Sequence, residues 1–234
     1  NAHRVRKGQS PVSAAADQAG DFYVIPRNTP EEIIDTVLEI VCRRLPRRFG
    51  FDPIEDIQLL VPMHRGSLGT ETFNRLLGQA LNPDGEALGH GLRVGDKVIQ
   101  VRNNYDLDIF NGDIGRMIRR EGPEVVVRFG SREIVYDNSA LEDLKLAYAI
   151  TVHKSQGSEY PAVVAPLHMQ HRMLLQRNLL YTAVTRARRF AVLVGEHRAV
   201  QMAVRNDEPM TRSTLLGWHL RRRDGRKTDP RVES

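Results

Sequence analysis

The sequence predicts an α/β protein: a parallel sheet with helices on both faces, interrupted by a small antiparallel β-barrel. Three observations carry this reading. Short apolar runs alternate with helical patterns in the first third of the chain, which is the rhythm of a parallel sheet. From about Leu92 to Tyr136 the pattern changes to four short β-type runs, KVIQV, GRMIRR, VVVRF and EIVY. Turn signals separate them, including Asn111-Gly112, read as a tight hairpin turn, and Glu121-Gly122-Pro123. After that stretch the α/β rhythm returns.

The elements follow in order. Residues up to about Gly20 read as an irregular polar lead-in. Phe22 to Ile25 form a short apolar strand. Thr29 then caps a helix, Pro30 suits its first position, and Glu32 completes a capping box. Ile33, Val37, Val41 and Leu45 recur at near-helical spacing, so one face is expected to be buried. IQLLVP, from Ile57, is apolar enough for a strand covered on both faces. Thr70 to Leu81 read as a helix with Phe73, Leu76, Leu77 and Leu81 apolar. Beyond the barrel come a strand near Leu146–Thr151, the loop HKSQGSEY, the strand AVVAPL, a helix from Arg172 to about Arg188, the strand FAVLVG and the helix HRAVQMAVRN. Residues 21–90 and 146–206 thus make one discontinuous domain around an insert at 91–145. Residues 207–234 form a tail, with seven Lys or Arg against two acids between Arg212 and Arg231 and the lone Trp218 in an apolar patch.

Composition narrows the function class. The chain has 234 residues, 41% hydrophobic and 27% charged, enough for a sizeable core. No run of 18 apolar residues occurs and the first residues lack the apolar segment of a signal peptide, so no membrane partner is expected. Cys42 is the single cysteine, which excludes an internal disulfide and points to a reducing cytoplasm. The eight histidines show no metal-ligand spacing, so no metal site is expected. A net charge of +5 suits a polyanionic partner without requiring one.

Two runs carry the chemistry. In TVHKSQGSEY, from Thr151 to Tyr160, the donors His153, Lys154, Ser155 and Gln156 precede Gly157, with Glu159 just past the bend. A polar loop at the carboxyl edge of a parallel sheet is where ligands bind, and such donors fix a nucleic-acid phosphate without reading bases. A capping Ser and a helix-ending Gly would produce a similar string for purely structural reasons. In LLYTAVTRARR, from Leu179 to Arg189, an apolar run ends in Arg186, Arg188 and Arg189. A guanidinium at such an end can reach a phosphate held by a neighbouring domain, or merely complement a helix terminus. PMHRGSLGTETFN, from Pro62 to Asn74, places His64 and Arg65 in a glycine-rich loop, suited either to sensing a nucleotide phosphate or to touching a DNA backbone. In the insert, Asn103, Asn104 and Tyr105 form a candidate stacking patch for a base.

In this order and spacing the runs resemble motifs V and VI of superfamily 1 helicases, most closely the RecD-like branch. The resemblance extends from about Asn1 to Asn206 and is strongest at Pro62–Asn74, Arg93–Gly115 and Leu146–Arg189. It implies a second RecA-like domain carrying a Src-homology-3-like barrel over bound single-stranded DNA. It implies Arg186 and Arg65 as arginines reaching the γ-phosphate of ATP, with Gly157 and Glu159 at the nucleotide. It implies His153, Lys154 and Ser155 on the DNA backbone, with Gln156 and Gly157 shaping the loop between the two ligands; Gln156, His64, Asn103, Asn104 and Tyr105 join them as DNA-side candidates. A monomeric, ATP-driven 5′-to-3′ motor of DNA repair or recombination follows. The chain has no GxxxxGK[ST] loop and no strand ending in an Asp-Glu pair for Mg²⁺. The resemblance assigns both to a preceding domain, so this chain is expected to be a C-terminal portion that is inactive alone. The alternatives are a non-catalytic single-stranded nucleic-acid-binding module and, more distantly, a UvrD-like 3′-to-5′ motor, whose large helical insertion is absent.

Overall fold

The computed structural model describes residues 1–15 and 20–207. The basic stretch Arg212–Arg231 and Trp218 lie outside the described residues.

The first helix signal is realised atom by atom. Strand β1, Phe22–Pro26, leads to helix α2, Pro30–Glu39, preceded in the chain by a short helix α1, Ala2–Arg6. Thr29 Oγ1 accepts from the Glu32 N–H at 3.2 Å, and the Glu32 carboxylate accepts from the N–H groups of Thr29 and Asn28. These bonds satisfy donors that a helix start otherwise leaves open. A wider π turn, Ile40–Arg44, then carries the chain into α3, Leu45–Phe49. Pro46 has no N–H for the carbonyl one turn back, so a regular continuation is blocked there.

Five strands build the main sheet: β1, β2 (Ile57–Val61), β10 (Ala149–Thr151), β11 (Tyr160–Leu167) and β12 (Ala187–Gly195). Their order is β1-β12-β11-β2-β10 and every pairing is parallel. Successive side chains point to opposite faces, so each strand feeds two cores. Leu60, Val163, Ala191 and Leu193 pack with Leu180 and Ala183 of helix α5, Arg177–Thr185, and with Ala199 and Ala203 of α6, His197–Arg205. Leu59, Val61, Val164 and Val192 pack with Ile33 and Val37 of α2 and with Phe73 and Leu77 of α4, Thr70–Leu81. All five residues of β2 are buried, as expected of a strand covered on both faces.

Between α4 and β10 the chain forms a two-stranded pair, β3 (Ala87–Gly89) with β4 (Leu92–Arg93), and a five-stranded antiparallel sheet. That sheet contains β5 (Lys97–Gln100), β6 (Ile114–Glu121), β7 (Glu124–Phe129), β8 (Arg132–Tyr136) and β9 (Leu144–Leu146), in the order β8-β7-β6-β5-β9. It has its own core, with Met117, Val127, Tyr136 and Leu144 buried together.

Four local expectations need correction. The lead-in is not wholly irregular, because α1 buries Val5 completely in the core shared with α5. The helix expected from Arg172 to Arg188 is shorter: a 3₁₀ segment, Met169–Leu174, precedes α5, which ends at Thr185. Arg188 and Arg189 belong instead to β12, whose pairing with β11 begins at Ala187 opposite Tyr160. The strand expected near Leu146–Thr151 is two strands, β9 in the antiparallel sheet and β10 in the parallel one. Asn111-Gly112 is the centre of a turn from Phe110 to Asp113 inside the 13-residue β5–β6 connection, not a two-residue hairpin.

Candidate nucleic-acid interface and arginine site

Because all five strands of the main sheet run the same way, their carboxyl ends share one edge. The loop after β2 and the loop after β10 emerge there side by side, since Val61 pairs with Thr151. The first loop folds tightly on itself. A Cβ on Gly69 would lie 2.5–2.6 Å from backbone atoms of His64 and Arg65, so only glycine permits this approach. Arg65 is left exposed at the tip, while Ser67 Oγ donates to Gln170 Oε1 at 3.1 Å and ties the loop to the segment after β11. His64 Nδ1 lies 2.6 Å from Thr70 Oγ1, and its Nε2 lies 3.4 Å from Glu71.

A cleft of about 730 Å³ opens between this edge of the sheet and the antiparallel barrel. His64, Arg75, Lys145 and Lys154 contribute basic groups to its walls, and Ile99 and Ile150 contribute apolar surface. Its inner wall is β10, an edge strand whose backbone would otherwise be unpaired. Asn74 closes that edge: its Nδ2 donates to the Ala149 carbonyl at 2.9 Å and its Oδ1 accepts from the Ala149 N–H at 2.8 Å. Helical periodicity marked Phe73 and Leu77 but gave no sign of this amide, whose role depends on a strand 75 residues away.

His153, Lys154 and Gln156 are exposed on the second loop. Ser155 is not available to a ligand. It is 0% exposed, and its hydroxyl donates to the Val152 carbonyl at 2.7 Å. The expected DNA contact is therefore replaced by a structural role, closing the 3₁₀ turn Val152–Ser155. Gly157 has φ +86° and faces open space. From there the chain crosses to the opposite, amino edge of the sheet, where β11 begins.

Arg186 stands at that amino edge. Its backbone carbonyl accepts from the Tyr160 N–H at 2.8 Å, and its Nη1 donates to the Ser158 carbonyl at 3.0 Å. The side chain is partly buried, and its Nε, though buried, has no hydrogen-bond partner. Glu159 is exposed beside it and accepts from Arg188 Nε at 2.9 Å. Behind them Lys97 of the barrel is buried, donates to the Ile57 carbonyl at 3.2 Å and lies over the Tyr160 ring. Burial pushes its pKa down to about 8 despite the opposing pull of Glu55, Asp52 and Asp56. Lys97 was missed because a lone Lys at the start of an apolar strand reads as a solvated end.

This topology corrects one expectation. Arg65 follows the carboxyl end of β2, whereas Arg186 precedes the amino end of β12, so the two arginines flank opposite edges. Five residues of strand separate those edges by roughly 16 Å. The structure thus brings Arg186 together with the Ser158–Tyr160 segment, and His64 with Lys154 on the walls of one cleft, with Arg65 next to His64 on the same exposed loop.

The insert residues divide as well. Asn103 accepts from the Asn111 N–H and donates to the Tyr105 hydroxyl, while Asn104 accepts from the Leu107 N–H. Both amides hold the β5–β6 loop in shape. Tyr105 is 77% exposed and meets Phe110 edge-on, with ring centroids 6.1 Å apart. The loop starts at Val101, which lines the cleft.

Comparison with known proteins finds two family matches within the chain. Residues 146–194 match the UvrD-like helicase C-terminal domain, and residues 73–129 match the ATP-dependent RecD-like DNA helicase SH3 domain. The ATP-dependent RecD2 DNA helicase of Deinococcus radiodurans is 38% identical over 163 residues, covering 68% of this chain and 23% of that protein. The RecBCD enzyme subunit RecD of Mycolicibacterium smegmatis is 28% identical over 232 residues, covering 94% of this chain and 41% of that protein. The chain therefore spans less than half the length of these relatives. A structure of Pif1 helicases at forked double-stranded DNA overlays only loosely, with a TM-score of 0.49 and 17% identity over 96% of this chain and 51% of that one.

Proposed function

Since the chain belongs to the superfamily 1 helicases, in their RecD-like branch, we propose that it is the portion of an ATP-driven DNA motor that grips single-stranded DNA and supplies Arg186 to a nucleotide held by an upstream domain. The observation that carries this is the continuous path from Val152 to Tyr160. It begins at the basic cleft, with Lys154 on its wall, and ends where Tyr160 and Ser158 bond to Arg186. One short segment thus touches both proposed ligand sites.

The mechanism follows from those two ends. ATP bound by the upstream domain draws that domain onto the amino edge through charge-assisted hydrogen bonds to Arg186. The Ser158 carbonyl holds the guanidinium in place, and Glu159 beside it is positioned to accept from a ribose hydroxyl. Among the described residues no group of three His, Cys, Asp or Glu side chains is placed to hold a metal ion, and Mg²⁺ is assigned in this reading to the upstream domain together with the phosphates. Loss of the γ-phosphate releases the attraction, and movement of the Val152–Tyr160 segment alters the grip of Lys154, His153 and Gln156 on the DNA backbone. Arg65 and His64 act on the same DNA edge, with Tyr105 as an exposed stacking surface. The direction of travel, 5′ to 3′, rests on resemblance to the branch and is read by comparing unwinding of 5′-tailed and 3′-tailed duplexes.

A non-catalytic strand-binding module is the second reading, favoured by the hydrogen bond that Arg186 makes within its own fold. Substitution Arg186→Ala in the chain joined to its upstream domain separates the two. The motor reading expects ATP turnover to fall by about 10³-fold or more, with DNA affinity kept within a few-fold. Unchanged turnover would leave the binding module standing.

A further inference from the structure

On the other side of the main sheet lies a second cavity, of about 660 Å³, which the motor does not use. It lies against β1, the edge strand opposite β10, so three strands separate it from the DNA-facing cleft. At about 4.8 Å per strand the two sites are roughly 19 Å apart across the sheet. Its floor is aromatic. Tyr23 and Phe49 both pack on Phe190, with centroid distances of 5.4 and 4.5 Å. One wall is formed by the π turn and α3, which set Arg43, Arg44, Arg47 and Arg48 along the rim, all exposed.

The rim is strongly unbalanced. Among the described residues Glu39 is the one carboxylate lining the cavity, and it pairs with Arg43 and Arg44 at 3.5 and 3.8 Å. Among the described residues Arg47 and Arg48 have no carboxylate partner. Arg43 with Arg47, and Arg44 with Arg48, recur four residues apart, so their guanidinium groups form a ridge along the wall rather than one cluster. A small anion would engage one or two of them. A row of carboxylates on an extended chain matches the whole ridge, since guanidinium and carboxylate pair in a planar, two-pronged fashion.

We propose that this cavity is a docking site for an acidic segment of a partner protein, carrying an aliphatic or aromatic side chain that fills the aromatic floor. Arginine clusters recognising acidic motifs are a recurrent mode of peptide capture, and a buried apolar anchor supplies most of the affinity in such contacts. The basic stretch Arg212–Arg231 of this chain is disfavoured as occupant by its like charge. Nucleic acid is disfavoured as occupant because the cavity is set apart from the cleft proposed to hold it.

The test uses the full chain and a fluorescein-labelled decapeptide of eight aspartates with a leucine and a phenylalanine at its centre. Anisotropy is expected to show saturable binding at micromolar peptide. Affinity should drop at least 10-fold in the double substitution Arg44→Glu with Arg47→Glu, and also when the two apolar residues of the peptide become serine. Excess oligothymidine should not displace the peptide. Equal binding of the serine peptide would reduce the site to diffuse charge attraction and overturn the proposal. So would displacement by oligothymidine, which would mark a nucleic-acid surface, or no saturation up to millimolar peptide. Arg48→Ala, a change confined to the surface, guards against misfolding: it should weaken the apolar peptide several-fold with unaltered circular dichroism, and no change in affinity would count against the ridge.

Discussion

Arg65 and Arg186 carry the same guanidinium but stand in different surroundings. Arg65 is exposed on a loop beside a basic cleft, and Arg186 is half-buried against the Ser158 carbonyl. Arg65→Ala is therefore expected to weaken single-strand binding and lower the salt slope of log affinity by about 0.7, as loss of one phosphate contact does. In the complete motor, turnover at saturating DNA should stay within a few-fold. A collapse of turnover under those conditions would return Arg65 to the nucleotide side. A second residue makes a pH prediction. His171 is 1% exposed, and burial moves its pKa from an ordinary 6.5 down to about 4, outweighing the opposing pull of the Leu68 main chain. The unfolded chain takes up this proton near pH 6.5 while the native chain resists until about pH 4. Stability is thus complete above that upper value and declines as pH falls between the two. Denaturant midpoints at pH 7 and pH 4.5 should show the decline, and His171→Gln should make it shallower. An equally steep decline in the variant would assign the effect to other groups.

At the scale of elements, the capping box and the two amphipathic helices α2 and α4 were legible because their signals are local. Thr29, Pro30 and Glu32 lie within four residues, and Phe73 and Leu77 within one turn. The loop after β2 is different, because its shape depends on backbone approaching backbone. Gly69→Ala is expected to cost on the order of 3 kcal/mol, since the added Cβ meets the His64 and Arg65 main chain rather than a side chain that can move. Single-strand affinity should drop with it, because the same loop presents Arg65 and His64. Retained affinity and an unaltered denaturation midpoint would show that the loop relaxes freely. The helix expected to reach Arg188 stopped at Thr185 for a related reason: pairing of Ala187 with Tyr160 begins a strand that periodicity in one segment cannot reveal.

For the whole molecule, separation of the two edges has a functional consequence. The sheet carries the basic cleft with Lys154 on its carboxyl edge and Arg186 on its amino edge, and the match to a helicase C-terminal domain falls on the main sheet while that to a RecD-like SH3 domain runs from α4 into the barrel. The sequence holds no GxxxxGK[ST] loop to cradle a triphosphate. The purified 234-residue chain should bind oligothymidine yet release no phosphate from ATP, with or without DNA. DNA-stimulated phosphate release by this chain would reveal a nucleotide site built from its own residues.

Composition, local spacing and motif order were enough to give the fold class and the inserted barrel. Those are properties of neighbouring residues, and short-range physics writes them directly into the string. Which of the candidate residues share an edge, that Ser155 is sealed inside its turn, that Asn74 closes a bare strand, and that Lys97 is buried against Tyr160 were decided only by tertiary packing. Each depends on the pairing of strands far apart in the chain, and no local pattern records that pairing.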